Sequence, residues 1–221
     1  MQTPCQMKVI SVNVGVPREV LWKGRLVSTG IFKEPVAGRV AVRRLNLDGD
    51  RQADLTVHGG PDKAVYVYPA EYFQFWREQF HDLVLPWGMF GENLTVEGMV
   101  DSDVCIGDRY RVGSALLEVK QPRLPCYKLA LKFQRDDILK RFLQSEFTGF
   151  YFAVLQEGEV AGGDAITLVR RDESGVAVAD ITRLYAREKR NVELLRRVVS
   201  VEALPESWRE YFYERLQRLS S

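Results

Sequence analysis

The sequence predicts a mainly β domain, a barrel or sandwich with a few short helices, followed by a small three-helix unit. Short β-branched stretches separated by Gly and Pro punctuation fill most of the chain up to about residue 171. No strand–helix–strand alternation is evident, which argues against a doubly wound sheet. From about residue 172 the apolar period changes from two to that of a helix. A chain of 221 residues has room for one large domain and an appendage, so the expected division is 1–171 and 172–221.

KVISVNV at 8–14 alternates as a half-buried strand does, and VSTGIFK at 27–33 and GRVAVRRLNL at 38–47 flank the turn signal EPVAG. ADLTVHGG at 53–60 reads as a strand running into a double glycine, and KAVYVY at 63–68 as a β-branched, aromatic strand. Pro69 suits the first position of a helix in which Tyr72, Phe73, Trp76 and Phe80 recur at helical spacing. In RYRVGSALLEV at 109–119, Gly113-Ser114 fits the two-residue turn of a hairpin. A short helix over 136–145 carries Ile138, Leu139, Phe142 and Leu143 inward, and 149–170 reads as a further strand pair. Asp180, Asn191 and Pro205 then each open a helical stretch too short to be stable alone, so the three are expected to pack together.

Composition excludes several classes of function. With 46% hydrophobic and 28% charged residues the chain is not disordered. A net charge of +1, with acids and bases interspersed, supplies no field for nucleic acid or an anionic membrane. The N-terminal MQTPCQMKVISVNVG lacks the pattern of a secretory signal, and no apolar run reaches the length of a membrane span, so a cytoplasmic protein is expected. Three widely spaced cysteines make no disulfide framework and leave thiols available in a reducing compartment.

Phosphate-loop, dinucleotide-fingerprint, CxxC, HExxH and GxSxG motifs are all absent, and two histidines, His58 and His81, exclude a multi-histidine metal site. The chemistry falls to cysteine. Cys5 sits in a terminus expected to fray, and Cys105 lies in the acidic stretch DSDVCIGD, which raises a thiol pKa or buries it as a small hydrophobe. Cys126 differs: from Val119 to Arg135 there are five basic residues (Lys120, Arg123, Lys128, Lys132 and Arg135) and no acid. Nearby positive charge favours the thiolate, the form that attacks and binds soft metals. Pro122 and Pro125 stiffen the backbone around it. The competing reading of Cys126 is a buried structural cysteine in a Pro-containing turn.

Three further segments can hold a ligand. In LTVHGGPDKAVY at 55–66, Gly59 and Gly60 allow close backbone approach, His58 can donate to an anionic or oxo group, and Lys63 can neutralise an anion; a plain β-turn is the alternative. In PWGMFGENLTVEG at 86–98, Asn93 offers the paired donor and acceptor that suit a heterocycle edge, or the segment is only a glycine-rich loop with a helix cap. In RVAVRRL at 39–45, Arg39 and Arg43 share one strand face and Arg44 takes the other; an arginine at a strand end binds phosphate bidentately, or the strand is merely solvated.

In order along the chain, VISVNVGVPREVLWKG, GIFKEPV, VHGGPDKAVY, PWGMFGENLTVEG and QPRLPCYKL resemble the MOSC-domain proteins of the YiiM type, over about residues 8–219. The tail ADITRLYAREKRNVELLRRVV with LPESWREYF is similar to the small three-helix domain of that type. The resemblance implies a MOSC β-barrel and a pterin-type molybdenum cofactor whose metal is held by one cysteine, which falls on Cys126. It also implies reduction of N-hydroxylated compounds to amines, a detoxification of base analogues such as 6-hydroxylaminopurine. Under that reading Cys126 and His58 are the catalytic residues and Cys126 is the metal ligand. Lys33, Arg43, Arg44, Lys63, Arg123 and Lys128 are candidates for the cofactor phosphate, and His58, Gly59, Gly60 and Asn93 for the pterin or metal oxygens. The chain carries no flavin or iron–sulfur motif, so electrons are expected from a donor protein that does. A persulfide-bearing sulfur carrier and a cofactor carrier without turnover are the rival readings. The tail has nine basic and seven acidic residues over 180–221 with no single-sign patch, and is left with three roles: docking the donor, pairing in a homodimer, or capping the barrel.

Overall fold

The computed structural model describes residues 6–53 and 59–220. Its strands are β1 (Lys8–Val14), β2 (Arg18–Trp22), β3 (Arg25–Thr29), β4 (Glu34–Pro35), β5 (Val40–Val42), β6 (Val65–Pro69), β7 (Leu94–Glu97), β8 (Arg109–Val112), β9 (Ala115–Pro122), β10 (Phe150–Gln156), β11 (Gly158–Val160) and β12 (Ile166–Arg170). Its helices are α1 (Tyr72–Gln79), α2 (Tyr127–Phe133), α3 (Asp137–Ser145), α4 (Val178–Ala186), α5 (Val192–Val199) and α6 (Glu206–Ser220), with a short 3₁₀ turn over Pro61–Lys63. No helix among the described residues is long and apolar enough to cross a membrane.

Eight strands form one mixed sheet in the order β12-β8-β9-β10-β6-β7-β1-β4; β5 pairs with β11, and β2 with β3. The expected closure into a barrel is not found. β1 meets the chain at the start of β12 over a short contact, the isolated bridge Lys8 to Ala165 with three backbone hydrogen bonds around it (Gly163 N–H to Val9 O, 2.8 Å; Val9 N–H to Asp164 O, 2.9 Å; Ile166 N–H to Met7 O, 2.8 Å), and the two strands form no continuous ladder. There the tight turn over 161–164 (Asp164 N–H to Ala161 O, 3.2 Å) delivers the chain to β8 rather than along β1.

Local chemistry explains most elements. Val112 and Ala115 pair across Gly113-Ser114 as the turn chemistry requires. The Asn191 side chain accepts from Leu194 N–H at the start of α5, and α6 begins just after Pro205. Three readings change. Pro69 closes β6 instead of opening a helix, because α1 starts at Tyr72. The strand expected over 38–47 shrinks to Val40–Val42, and Arg43 turns back (Arg43 N–H to Asn46 O, 2.8 Å). A hairpin of β2 and β3 was not anticipated; it reverses at Lys23-Gly24, both with positive φ. Most of the strand expected at 53–60 lies outside the described residues.

Two cores hold the fold. The larger joins the sheet, through Val67, Val119 and Phe152, to Ile181, Leu195 and Phe212 of the tail. The helices therefore share the sheet's core rather than forming one of their own. The second is aromatic: Trp76 Nε1 donates to Tyr68 Oη at 2.6 Å, Tyr68 stacks on Phe90 at 4.3 Å, and Phe133 of α2 and Phe142 of α3 complete it.

Asp101 ties the tail to the sheet. Its backbone carbonyl accepts from Ala179 N–H, and its Oδ2 accepts from Thr148 N–H, Thr148 Oγ1 and Gly149 N–H at 3.0–3.2 Å. Thr148 Oγ1 in turn lies 3.2 Å from Thr182 Oγ1 of α4. Asp101 Oδ1 is buried with no partner among the described residues, and burial pushes this carboxyl up to about 7. The folded carboxyl thus keeps its proton to higher pH than the unfolded one, near 4. The folded chain binds the extra proton between these values, so this group's contribution to stability falls as pH rises from about 4 to about 7, by at most on the order of 4 kcal/mol, and is flat above. Asp101→Asn is expected to remove that slope in thermal unfolding followed from pH 5 to 8; parallel curves for variant and wild type would contradict it.

Candidate functional site

Cys126 stands at the junction of the QPRLP loop and α2. Its backbone is extended (φ −124°, ψ 165°), and its carbonyl accepts from Leu129 N–H at 2.9 Å. Sequence reading placed Cys126 on a Pro-stiffened loop and missed the helix that begins beside it. Leu129, Ala130 and Phe133 of α2 are buried in the aromatic core, so helix packing, as well as proline stiffness, fixes the position of the thiol. Cys126 is half-buried and, among the described residues, forms no disulfide.

Arg123, three residues earlier, is 5% exposed. Its guanidinium lies 4.9 Å from the centre of the Tyr66 ring and 5.4 Å from that of Phe142. Its Nη1 is buried and has no hydrogen-bond partner among the described residues. An unsatisfied buried donor on a permanent cation costs desolvation that an incoming acceptor can offset.

A buried network forms the floor. The Lys33 ammonium pairs with the Asp50 carboxylate, side chains 9% and 0% exposed. Asp50 also accepts from Gly15 N–H (2.9 Å) and from Asn93 Nδ2 (2.9 Å), while Asn93 Oδ1 accepts from Tyr66 N–H (3.0 Å). Burial pushes the Lys33 pKa down, and Asp50 opposes that shift. Beside it, Glu92 accepts from Gly88 and Phe90 N–H and from Thr95 Oγ1, and Lys132 of α2 donates to the carbonyls of Ile31 and Gly88. Burial raises Glu92 and lowers Lys132 to about 7; their mutual attraction opposes both shifts. Gly88 has φ +84°, and a Cβ there would lie 2.6 Å from the Lys33 carbonyl oxygen, so only glycine lets the two segments meet.

These segments enclose a pocket of about 630 Å³ including its mouth. Among the described residues, Lys33, Arg51, Lys63, Arg123 and Lys128 line it together with Cys126 and no acidic side chain. Burial pushes Lys63 down, with Asp62 opposing. Of the residues singled out from sequence, Cys126, Lys33, Lys63, Asn93, Arg123 and Lys128 converge here. The Asn93 amide, however, is spent on Tyr66 and Asp50, so it supports the floor rather than offering a free edge to a heterocycle. Gly59 and Gly60 line an adjoining cleft that shares Lys63 with the pocket. His58 lies outside the described residues.

Arg43 and Arg44 do not belong to the pocket lining. Arg43 is exposed and pairs with Asp48 at 2.9 Å and with Glu157 at 3.7 Å, while the Arg44 N–H donates to Glu157 at 2.8 Å. Carboxylates within reach satisfy the Arg43 guanidinium where an anionic ligand was expected, and the bond from Arg44 to Glu157 is made by its backbone. Sequence reading missed Asp50, Arg51, Tyr66 and Tyr151. Only the DGDR turn at 48–51 marked the first two locally, and the tyrosines read as ordinary strand aromatics.

A model of the MOSC domain matches residues 54–167, and one of the YiiM-like 3-alpha helix domain matches 176–219. The chain belongs to the MOSC-domain family, of the YiiM type. This MOSC protein is 44% identical to Bacillus subtilis YflK over 211 residues, 96% of this chain and 95% of that one. It is 35% identical to Escherichia coli YiiM over 184 residues, 81% of each. The crystal structure of YiiM from Geobacillus stearothermophilus aligns with a TM-score of 0.80 at 40% identity, over 95% of this chain and 99% of that one. A Gibberella moniliformis protein named a reductase is 34% identical over 87% of this chain, which spans 34% of that longer protein.

Replacing Asp50 by Asn leaves Lys33 buried without its counter-charge. Breaking one side of such a pair costs about 3–5 kcal/mol, and a corresponding fall in the urea unfolding midpoint is expected. An unchanged midpoint would show that Lys33 is held in another way.

Proposed function

We propose that this MOSC protein binds a pterin-type molybdenum cofactor and uses it to reduce N-hydroxylated compounds, base analogues such as 6-hydroxylaminopurine among them, to the amines. One observation carries the reading: a half-buried thiol stands at a pocket lined, among the described residues, by five cations and no acid, one of the cations being the buried Arg123 with an unsatisfied Nη1. A ligand that combines an anionic phosphate with a soft metal matches both halves of that donor set. The family and the reductase-named relative agree with it.

Within this reading Cys126 Sγ is the protein's sulfur donor to the metal. Arg123, Lys63 and Lys128 hold the anionic groups. Lys33 contributes less than a full charge because Asp50 neutralises it. Tyr66 and Tyr151, whose rings lie 5.1 Å apart, wall the pocket and limit water. When bound, the cofactor supplies the two-electron couple, while the protein supplies position and field. The overall change is R–NHOH plus two electrons and two protons to R–NH₂ and water. The electrons come from a separate donor protein of the flavin or iron–sulfur type.

Cys126→Ser is expected to keep its fold and to lose N-hydroxyl reduction by more than about 100-fold with an artificial electron donor, beyond what loss of an outer-shell partner costs. Wild-type activity in that variant would overturn the ligand role. Protein made in cells that synthesise the cofactor is expected to carry near-stoichiometric molybdenum and to release a fluorescent oxidised pterin. Reduction by metal-free, pterin-free protein would reject the mechanism. A cyanide-labile extra sulfur on Cys126 without molybdenum would favour the sulfur-carrier reading, and tight cofactor binding without turnover the carrier reading.

A further inference from the structure

The cleft beside the pocket is where the tail reaches the site. Trp208 of α6 donates its Nε1–H to Gln121 Oε1 at 2.6 Å, and Gln121 donates from Nε2 to the Asp62 carbonyl at 3.2 Å. Gln121 is 4% exposed and lies two residues before Arg123, while Asp62 sits in the 3₁₀ turn that carries Lys63. The amide orientation is forced, because an indole N–H can only donate and a carbonyl can only accept. Trp208 is itself held, stacked on the fully buried Phe212 at 5.6 Å and edge-on to Tyr185 at 5.7 Å. The turn opens on Gly60 at φ 97°, followed by Pro61, and is closed by Lys63 N–H donating to Gly60 O at 3.1 Å. A single relay thus runs from the helical tail to both segments that bring cations to the pocket.

We propose that Trp208 and Gln121 are positioning residues for the anion pocket: through their hydrogen bonds the tail sets the placement of Lys63 and Arg123, and with it how tightly a phosphate-bearing ligand is held. Only the identity of that ligand rests on the proposed cofactor reading. The relay also gives the tail a role that neither donor docking nor dimerisation requires.

The test uses the full chain as Trp208→Phe, which keeps the ring and loses the donor, and as Gln121→Leu. Backbone hydrogen exchange over residues 60–65 and affinity for inorganic pyrophosphate are measured. Trp208→Phe is expected to speed exchange in that segment and to weaken pyrophosphate binding about 3–10-fold, the value of one hydrogen bond of ordinary strength. The double variant is expected to be no weaker than Gln121→Leu alone, as one chain of bonds demands. Leu195→Ala, a cavity in the same tail away from the relay, is expected to lower the melting temperature and leave both readouts unchanged below its transition. Wild-type exchange and affinity in Trp208→Phe, or the same losses in Leu195→Ala, would overturn the proposal. Exchange needs no ligand and decides the relay by itself. Wild-type protein that lacks pterin but shows the Trp208-dependent exchange would reject the cofactor reading and leave the relay standing.

Discussion

A lysine ammonium withdrawn from water is stable only if another charge meets it, and at Lys33 that charge is a carboxylate as fully buried as the lysine is nearly so. Asp50 therefore has to be held with little freedom, and its remaining hydrogen bonds do this. It grips the backbone at Gly15, between β1 and β2, and the amide of Asn93, just before β7. Asn93 in turn grips the first peptide of the β6 region at Tyr66. Three stretches, at Gly15, Lys33 and Asn93, converge on one carboxylate and a fourth, at Tyr66, joins through Asn93, and the walls of the pocket are extensions of those stretches. The pocket's shape is thus a consequence of satisfying one buried pair.

Electrostatics then favour an anion. Among the described residues, Asp50 and Glu92 are buried and absent from the lining, while Lys33, Arg51, Lys63, Arg123 and Lys128 belong to it. Burial pushes the pKa values of Lys33, Lys63 and Lys132 down together. A cluster of like charges partly removed from water gains from any negative group that enters, and its attraction is little screened by salt. The thiol of Cys126 lies in that same field, which couples a soft donor to a phosphate-sized anion site.

Features encoded within a few residues were legible in the sequence. The Gly113-Ser114 hairpin, α3 and the starts of α5 and α6 follow from turn residues, caps and periodicity. Cys126 stood out because its basic neighbours are also neighbours in sequence. α2 was hidden because seven residues give too little periodicity and two prolines precede it. Arg43 looked like a phosphate ligand because the strand pattern did not show Asp48 and Glu157 folding onto it. Asp50 and Tyr151 are far apart in the chain, and their place at one site emerges only from sheet order. Barrel closure was overread for a related reason: alternation along a strand says which face is buried, not whether the last strand meets the first.

The strand order carries a consequence for biosynthesis. β6 pairs with β7 in parallel and with β10 on its other side, so one central strand waits for a partner more than 80 residues downstream. Tyr151, a wall of the pocket, belongs to β10, and the large core closes only when the last helix contributes Phe212. Contacts this remote are made late and slowly. A ribosome-bound chain that has just exposed Cys126 therefore has the thiol but not the chamber around it. The walls of the pocket are therefore assembled from segments made well after the thiol, so any binding that needs the whole lining waits for the sheet to close.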